Sequence, residues 1–217
     1  MLTNPDIINP HESEIKSWTR IGIISGFLAC VVYPVMTLVS LPRIPQLILG
    51  GSFGPFLATA SVALSNIMLA RHRRPTLQLA AIFNALAGAL VTAMIIVQLT
   101  INYSTVPATD DQLAPLFRHR IWDIVLGLDV AFDVFIGLGT LFFAINMISD
   151  SRFGKTIGWW GVLTAIVLFG ANFYYFPDPP YVHGFPHVGI ITGSWYLGVT
   201  IMLARSMRKK LQPTPSS

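Results

Sequence analysis

The chain has 217 residues, of which 53% are hydrophobic and only 11% are charged. A soluble domain usually carries about 25% charged residues, so this composition argues against a water-soluble fold and for a chain surrounded largely by lipid. The formal net charge of +4 is too small for nucleic-acid binding, and the single cysteine excludes an internal disulfide framework.

Six apolar runs follow one another along the chain, each close to the ~20 residues that cross ~30 Å of hydrocarbon. We therefore predict an all-α polytopic membrane protein, a bundle of six transmembrane helices in one domain over residues 20–205. Cytoplasmic tails at residues 1–19 and 206–217 flank it. The predicted spans cover residues 20–41, 46–70, 76–103, 121–148, 156–176 and 186–205.

The basic residues indicate how these spans are oriented. Of the fourteen Lys and Arg residues, three lie in the odd-numbered loops and eleven in the tails and the even-numbered loops. The positive-inside tendency therefore predicts that both termini are cytoplasmic. Tryptophans at the ends of the runs agree with these boundaries. Trp195 lies well inside the last run, and we expect it to pack between helices.

Pairs of small residues four positions apart predict close approach of helix backbones, and one such face would serve a homodimer. The pairs are Gly22 and Gly26, Gly50 and Gly54, and Gly189 and Gly193. Pro34, which follows Tyr33, and Pro55 interrupt two spans in their outer halves. They are either ordinary packing kinks or kinks that line an outward-facing cavity.

Two carboxylates, Asp129 and Asp133, lie inside the fourth span. Their spacing places them on one helix face, ~6 Å apart. Depths of ~12 and ~18 Å from the outer surface place them about the midplane. Acids at such depth face protein or water, and at least one of two close carboxyls is expected to hold a proton near neutral pH. Proton relay, cation binding and hydrogen bonding by a neutral acid are the three open roles.

Depth also suggests partners for these acids. Asn84, in the third span, is expected ~12 Å from the inner surface, level with Asp133. Tyr33 lies at an intermediate depth. The alternative to a functional site is a neutral Asp–Asn network that holds helices together. Asp123, at the interface, is expected to be solvated or to pair with Arg118 or Arg120.

The fifth loop, residues 176–187, contains four prolines and a glycine, which predict a stiff, non-helical segment. Asp178, His183 and His187 are metal-ligand types, but Gly184 and Pro186 argue against the helix that a four-residue His spacing requires. We expect a rigid, aromatic-rimmed lid over the outer mouth of the bundle, without a metal or another cofactor.

On the cytoplasmic side, Arg71, Arg73 and Arg74 are expected to fix the topology and to contact anionic lipids. Signatures of phosphate-binding loops, zinc proteases, paired CxxC motifs and serine-nucleophile elbows are missing from the sequence. These absences favour a protein that is not an enzyme.

Three segments resemble those of small bacterial six-span integral membrane proteins of no established activity. They are residues 128–133, 152–155 and 195–197, and the resemblance covers mainly residues 120–205. It implies a multi-pass protein of the bacterial inner membrane. It carries no catalytic residues and no mechanism.

The leading hypothesis is a membrane protein that binds a small solute or cation within the bundle, with Asp129 and Asp133 as a titrating pair in a proton-coupled transporter. A second hypothesis is a non-catalytic sensor or assembly factor that binds a ligand or partner through its outer loops. A third is a membrane enzyme that uses Asp178, His183 or His187 at the outer surface.

Overall fold

A computed structural model describes residues 10–71, 73–103, 113–185 and 188–211 of the protein. Within these residues the chain forms six α-helices and one 3₁₀ turn at Pro180–His183. The helices are α1 (Pro10–Leu38), α2 (Arg43–Leu69), α3 (Pro75–Tyr103), α4 (Leu113–Ile148), α5 (Gly154–Tyr175) and α6 (Val188–Leu211). The all-helical fold predicted from the sequence is confirmed.

Five helices, α1 to α5, contain segments long and apolar enough to cross a membrane. Large apolar side chains on their outer faces, such as Ile24, Leu163 and Phe173, are more than half exposed. Water-soluble monomers rarely expose extended apolar surface of this kind, whereas a lipid environment covers it. The fold therefore suits a multi-pass membrane protein. The sixth helix, α6, is not among the five.

The helices form a closed ring because each packs against its neighbours in chain order and α6 returns to pack against α1. Short connections make successive helices antiparallel. One end of the bundle carries residues 176–185, and we call it the strap end. The opposite end carries the Arg-containing connections from α2 to α3 and from α4 to α5, and we call it the basic end.

Glycines set the closest helix crossing. A Cβ atom added to Gly54 of α2 would lie 2.0 Å from the carbonyl oxygen of Gly88 in α3, so the two backbones touch there. Gly26 meets the side chain of Thr200 in α6, 2.5 Å from where a Cβ atom would lie. The prediction of close backbone approach thus holds at Gly54, whereas Gly22, Gly26 and Gly50 lie against side chains of neighbouring helices. A Cβ atom added to Gly189 or Gly193 would meet nothing within 4 Å among the described residues, although the Gly193 carbonyl oxygen accepts a 3.9 Å hydrogen bond from the Cys30 thiol of α1.

Two helices begin well before the predicted spans. α1 begins at Pro10 and α4 at Leu113, whereas the spans were predicted to begin at residues 20 and 121. Hydropathy marks the apolar part of a helix, but the helix itself continues into polar sequence. The extension of α4 carries Arg120, which pairs with Asp123 at 3.4 Å and confirms one of the pairings expected for that carboxylate.

The core near the basic end is centred on Trp195 of α6, which is fully buried. Its indole Nε1 donates a hydrogen bond of 2.9 Å to the carbonyl oxygen of Ile157 in α5. The ring lies against Gly161, where a larger residue would collide with it. Trp195 therefore packs between helices, as predicted.

An ion pair between Arg152 and Asp150 lies at the basic end of the bundle. Arg152 donates three side-chain hydrogen bonds to Asp150, the shortest 2.6 Å, and a further one to the carbonyl oxygen of Ile67 at the end of α2. Burial alone would raise the pKa of Asp150, but the hydrogen bonds and charge of Arg152 outweigh it and lower that pKa. Arg74 likewise reaches Asn146 and Ser149 of the neighbouring hairpin. The side chains of Arg152 and Arg74 thus link the α2–α3 connection to the α4–α5 connection at the basic end.

Candidate functional site

The acid pair, Asp129 and Asp133, lies closer to the strap end than its predicted depth suggested. The carboxyl of Asp133 is buried and accepts a 2.9 Å hydrogen bond from the Nδ2 atom of Asn172 in α5. Asn172 is three residues from Tyr175, the last residue of α5, so Asp133 is level with the final turn of that helix. Asp129 lies one turn of α4 beyond it, towards the strap end.

Asn172 contributes an unusual feature to the site. Its Nδ2 donates to Asp133 and also to the carbonyl oxygen of Leu168, so both of its amide protons are used. Its Oδ1 atom is buried and has no hydrogen-bond partner within the described part of the chain. A buried acceptor without a donor is costly. The oxygen belongs to the same amide group whose Nδ2 atom bonds Asp133, so an unpartnered acceptor lies next to that contact.

Two tyrosines complete the surroundings of the acid pair. Tyr33 of α1 lies within electrostatic reach of both carboxyls and packs its ring against Phe53, 5.2 Å away. Tyr181 lies on the 3₁₀ turn above them. Burial, followed by the charges of Asp129, Tyr33 and Asp133, raises the pKa of Tyr181 to about 12. The Tyr181 hydroxyl is therefore a neutral group near the acid pair.

Residues 176–185 form a compact strap across this end of the bundle. Its Pro180–His183 segment is a 3₁₀ turn, closed by Gly184 in the left-handed conformation at φ 78°, whose N–H bonds the Tyr181 carbonyl oxygen. The prediction of a non-helical loop is wrong for those four residues. Phe185 turns inward and packs against the apolar residues beneath the acid pair. The strap therefore reaches into the bundle as well as across it.

Both prolines predicted to shape a cavity have exposed rings. α1 and α2 continue through Pro34 and Pro55 without interruption. The residue before each proline faces its neighbours instead: Tyr33 is partly buried beside the acid pair, and Gly54 forms the crossing with α3. The prolines thus lie on the outer surface of the bundle at these two positions.

Asn84 has different partners from the one predicted. Its Nδ2 atom donates to the hydroxyl groups of Ser61, at 3.1 Å, and Tyr196, at 2.6 Å. Its Oδ1 atom lies against Gly139 of α4, six residues and ~9 Å deeper in the bundle than Asp133. The depth argument placed Asn84 level with Asp133 by counting residues from the predicted ends of the two spans, and such counting does not fix the axial shift of α3 against α4. Asn172 occupies the place predicted for Asn84.

An apolar layer separates the acid pair from Asn84. Its residues are buried; Ile136 lies about one turn below Asp133 on α4, and Leu168 lies about one turn below Asn172 on α5. Its members are Leu57, Ala87, Ile136, Leu168 and Ala171. The acid pair is thus bounded by this layer below and by the strap above.

The other outer-loop candidates form a separate surface group. The Nε2 atom of His183 lies 3.2 Å from the Asp178 carboxylate, and its ring stacks on Tyr175 at 5.0 Å. His187 lies outside the described residues. In the part of the chain that the structure describes, no three His, Cys, Asp or Glu side chains come close enough together to hold a metal ion. Asp178 and His183 order the strap by their contact.

Comparison with known proteins gives no match: no family model, curated protein or solved structure is similar to this chain beyond chance. The interpretation of the site therefore depends on its own geometry.

Sequence reasoning missed Asn172 and Tyr181. Asn172 had a usable signal, because it is an amide inside an apolar run four residues from the predicted end of the span. Tyr181 had no such signal in the sequence, because a tyrosine near a membrane surface is ordinary. Its proximity to the acid pair depends on how the strap folds back.

Proposed function

We propose that this protein binds a small cation, or a small positively charged solute, at Asp129 and Asp133, and that it exchanges this ligand for protons across a membrane. In this proposal all six helices span the membrane and both termini are cytoplasmic, so that the strap end faces outward. The resemblance noted above favours a bacterial inner membrane.

The observation that carries the proposal is the unpartnered Oδ1 atom of Asn172 beside Asp133. Together with the carboxyls it offers hydrogen-bond acceptors and negative charge. The four ion pairs in the described part of the chain join other residues, so neither acid has a Lys or Arg partner there. A cation, a hydronium ion or a protonated amine satisfies such a set of oxygens, whereas an anion is repelled by it.

The position of the site favours exchange with the outer side. Asp129 is only partly buried, whereas Asp133 is buried behind it, so a ligand would meet Asp129 first. The strap with Tyr181 lies between the pair and the medium. The apolar layer containing Ile136 closes the inner side. Transport would require these two barriers to open in turn.

Asp133→Asn tests the proposal because it keeps the shape of the side chain and removes its charge. The protein would be reconstituted in vesicles, and uptake of radioactive sodium and of tetraphenylphosphonium would be measured under an imposed pH gradient. We expect uptake of at least one probe by the natural protein and its loss in Asp133→Asn. Asp123→Asn, on the same helix but exposed and paired with Arg120, is the matched control and should leave uptake unchanged.

Two outcomes would reject this function. One is that neither probe is bound or transported by the natural protein above the level of protein-free vesicles. The other is that Asp133→Asn transports both probes as the natural protein does.

We further propose that the basic end contacts anionic lipid. An open crevice of about 340 Å³ is lined there by Leu69, Arg73, Arg74, Pro75 and Gln78. Two guanidinium groups beside apolar side chains suit a phosphate headgroup with its acyl chains alongside. Arg71 lies just before the crevice at the same end. Native mass spectrometry should show more bound phosphatidylglycerol than phosphatidylcholine, with the difference reduced in an Arg73→Gln variant.

A sensor or assembly role is the second candidate, and the ordered surface of the strap favours it. Asp178, His183 and Tyr175 hold one another in a fixed exposed arrangement that a partner could recognise. This role predicts that Asp178→Asn abolishes partner capture while Asp133→Asn is tolerated. A homodimer through one of the glycine-pair faces remains a prediction.

A further inference from the structure

A second polar group of side chains lies at the centre of the bundle, below the apolar layer. Four helices contribute one residue each, and we call them the inner cluster: Ser61, Asn84, Thr140 and Tyr196. Asn84 and Thr140 are fully buried, and Ser61 is nearly so. The Tyr196 hydroxyl accepts from Asn84 at 2.6 Å and lies 3.5 Å from the Thr140 hydroxyl. Helix packing alone does not require four polar groups at one point.

The inner cluster has two features that point to a ligand. The Oδ1 atom of Asn84 is buried and lacks a hydrogen-bond partner among the described residues; it lies against Gly139 of α4 and does not line the cavity described next. A cavity of about 10 Å³ adjoins the cluster between α1, α2 and α6, and Ser61, Tyr196 and Thr200 supply hydroxyl groups to its wall. That volume and that number of polar groups fit one water molecule.

Polar groups continue from the inner cluster towards the basic end. Ser65 lies one turn below Ser61 on α2, and its buried hydroxyl donates to the carbonyl oxygen of Leu77 at 2.9 Å. Beyond it, Asn146 donates to the Thr76 hydroxyl and accepts from Arg74. Hydroxyl and amide groups therefore recur from the bundle centre to its basic end along α2, α3 and α4.

We infer that the inner cluster is a proton-relay site that binds one water molecule, and that a proton released from the acid pair reaches the basic end through it. In this scheme a hydroxyl or the water accepts a proton on its strap side and releases another on its basic side, so the cluster's own charge is unchanged after each transfer. The apolar layer blocks the path until it opens. The inference rests on the proposed function of the acid pair.

Tyr196→Phe tests this inference because it removes one oxygen atom from the cluster. Proton flux would be measured in vesicles with a trapped pH-sensitive dye, after a membrane potential is imposed. We expect the flux to fall by about tenfold, the rate effect of a barrier ~1.4 kcal/mol higher, which is within the range for one hydrogen bond.

Thr164→Val is the matched control. Thr164 of α5 is also buried and its hydroxyl has no partner in the described part of the chain, but it is not in the cluster. Loss of one buried hydroxyl there should leave the flux unchanged. Thermal unfolding of each variant would show whether any loss of flux reflects loss of fold.

The results separate this inference from the proposed function. If tetraphenylphosphonium or sodium binds to both the natural protein and Tyr196→Phe, but their proton fluxes are equal, the relay is wrong and the acid-pair site stands. Absence of proton flux in a natural protein that binds a probe also overturns the relay. If the natural protein binds neither probe, the proposed function fails. A tenfold loss of proton flux in Tyr196→Phe, with no loss in Thr164→Val, supports both the relay and the proposed function.

Discussion

The crossing of α2 and α3 at Gly54 gives the sharpest test of the fold. In Gly54→Ala the added Cβ would lie 2.0 Å from the Gly88 carbonyl oxygen and 2.1 Å from the Thr92 hydroxyl, whereas ordinary contacts begin near 3.4 Å. The Thr92 side chain can rotate, but the carbonyl is part of α3. The helices must therefore separate by roughly 1 Å, and overpacking of this kind costs about 1–3 kcal/mol.

Gly51→Ala is the matched control for this change. Gly51 is on the same helix, and a Cβ there meets nothing within 4 Å. Both variants gain up to ~1 kcal/mol of helix propensity, so the difference between them isolates the steric cost, about 1–3 kcal/mol. The free energy of unfolding would be measured by circular dichroism as SDS is added to protein in mild detergent.

Equal stability of the two variants would refute the crossing. A double variant gives a further check. A Cβ on Gly88 would lie 2.6 Å from the Gly54 carbonyl oxygen, so one separation of the helices relieves both clashes. Gly54→Ala with Gly88→Ala should therefore cost less than the sum of the two single changes. Strict additivity would contradict a shared contact.

Two further predictions concern the core and the basic end. Because the pKa of Asp150 is lowered in the folded state, its contribution to stability is present above the unfolded value of ~3.9 and is lost as the pH falls through the lower folded value. Asp150→Asn should lower the free energy of unfolding by roughly 1.5–3 kcal/mol at neutral pH. In denaturant titrations it should also remove the part of the loss of stability at acid pH that Asp150 causes; an unchanged dependence of stability on pH would contradict this. Trp195→Phe loses the bond to Ile157 and leaves space beside Gly161, so unfolding should be easier by about 1–3 kcal/mol, whereas Trp159→Phe, at an exposed site, should stay within ~0.5 kcal/mol. Equal melting temperatures for these two variants would refute the packing described for Trp195.

Hydropathy predicted each helix, since each of the six predicted runs overlaps one, but it could not predict where α1 and α4 begin. Polar sequence outside lipid continues a helix through local hydrogen bonds that hydropathy does not measure. The acids were found because a carboxylate in an apolar run is conspicuous. Their partner was missed because pairing depends on the rotation and axial shift of helices, and six residues of α4, ~9 Å, separate Asp133, which meets Asn172, from Gly139, which meets Asn84.

The strap was only partly predictable for a related reason. Its prolines predict a stiff segment, but they do not tell which aromatic side chain turns inward. Tyr181 and Phe185 belong to one short turn, yet the first lies near the acid pair and the second among apolar residues. That division follows from the geometry of the 3₁₀ turn and the left-handed Gly184.

Phe185 connects the strap to the apolar layer beneath the acid pair. Because its ring packs against the apolar layer, movement of the strap would be expected to disturb that layer beneath the acids. A molecule that binds the strap from outside would therefore act on the apolar layer without contacting it. An antibody or peptide that binds residues 176–185 would therefore be expected to change the packing beneath the acid pair.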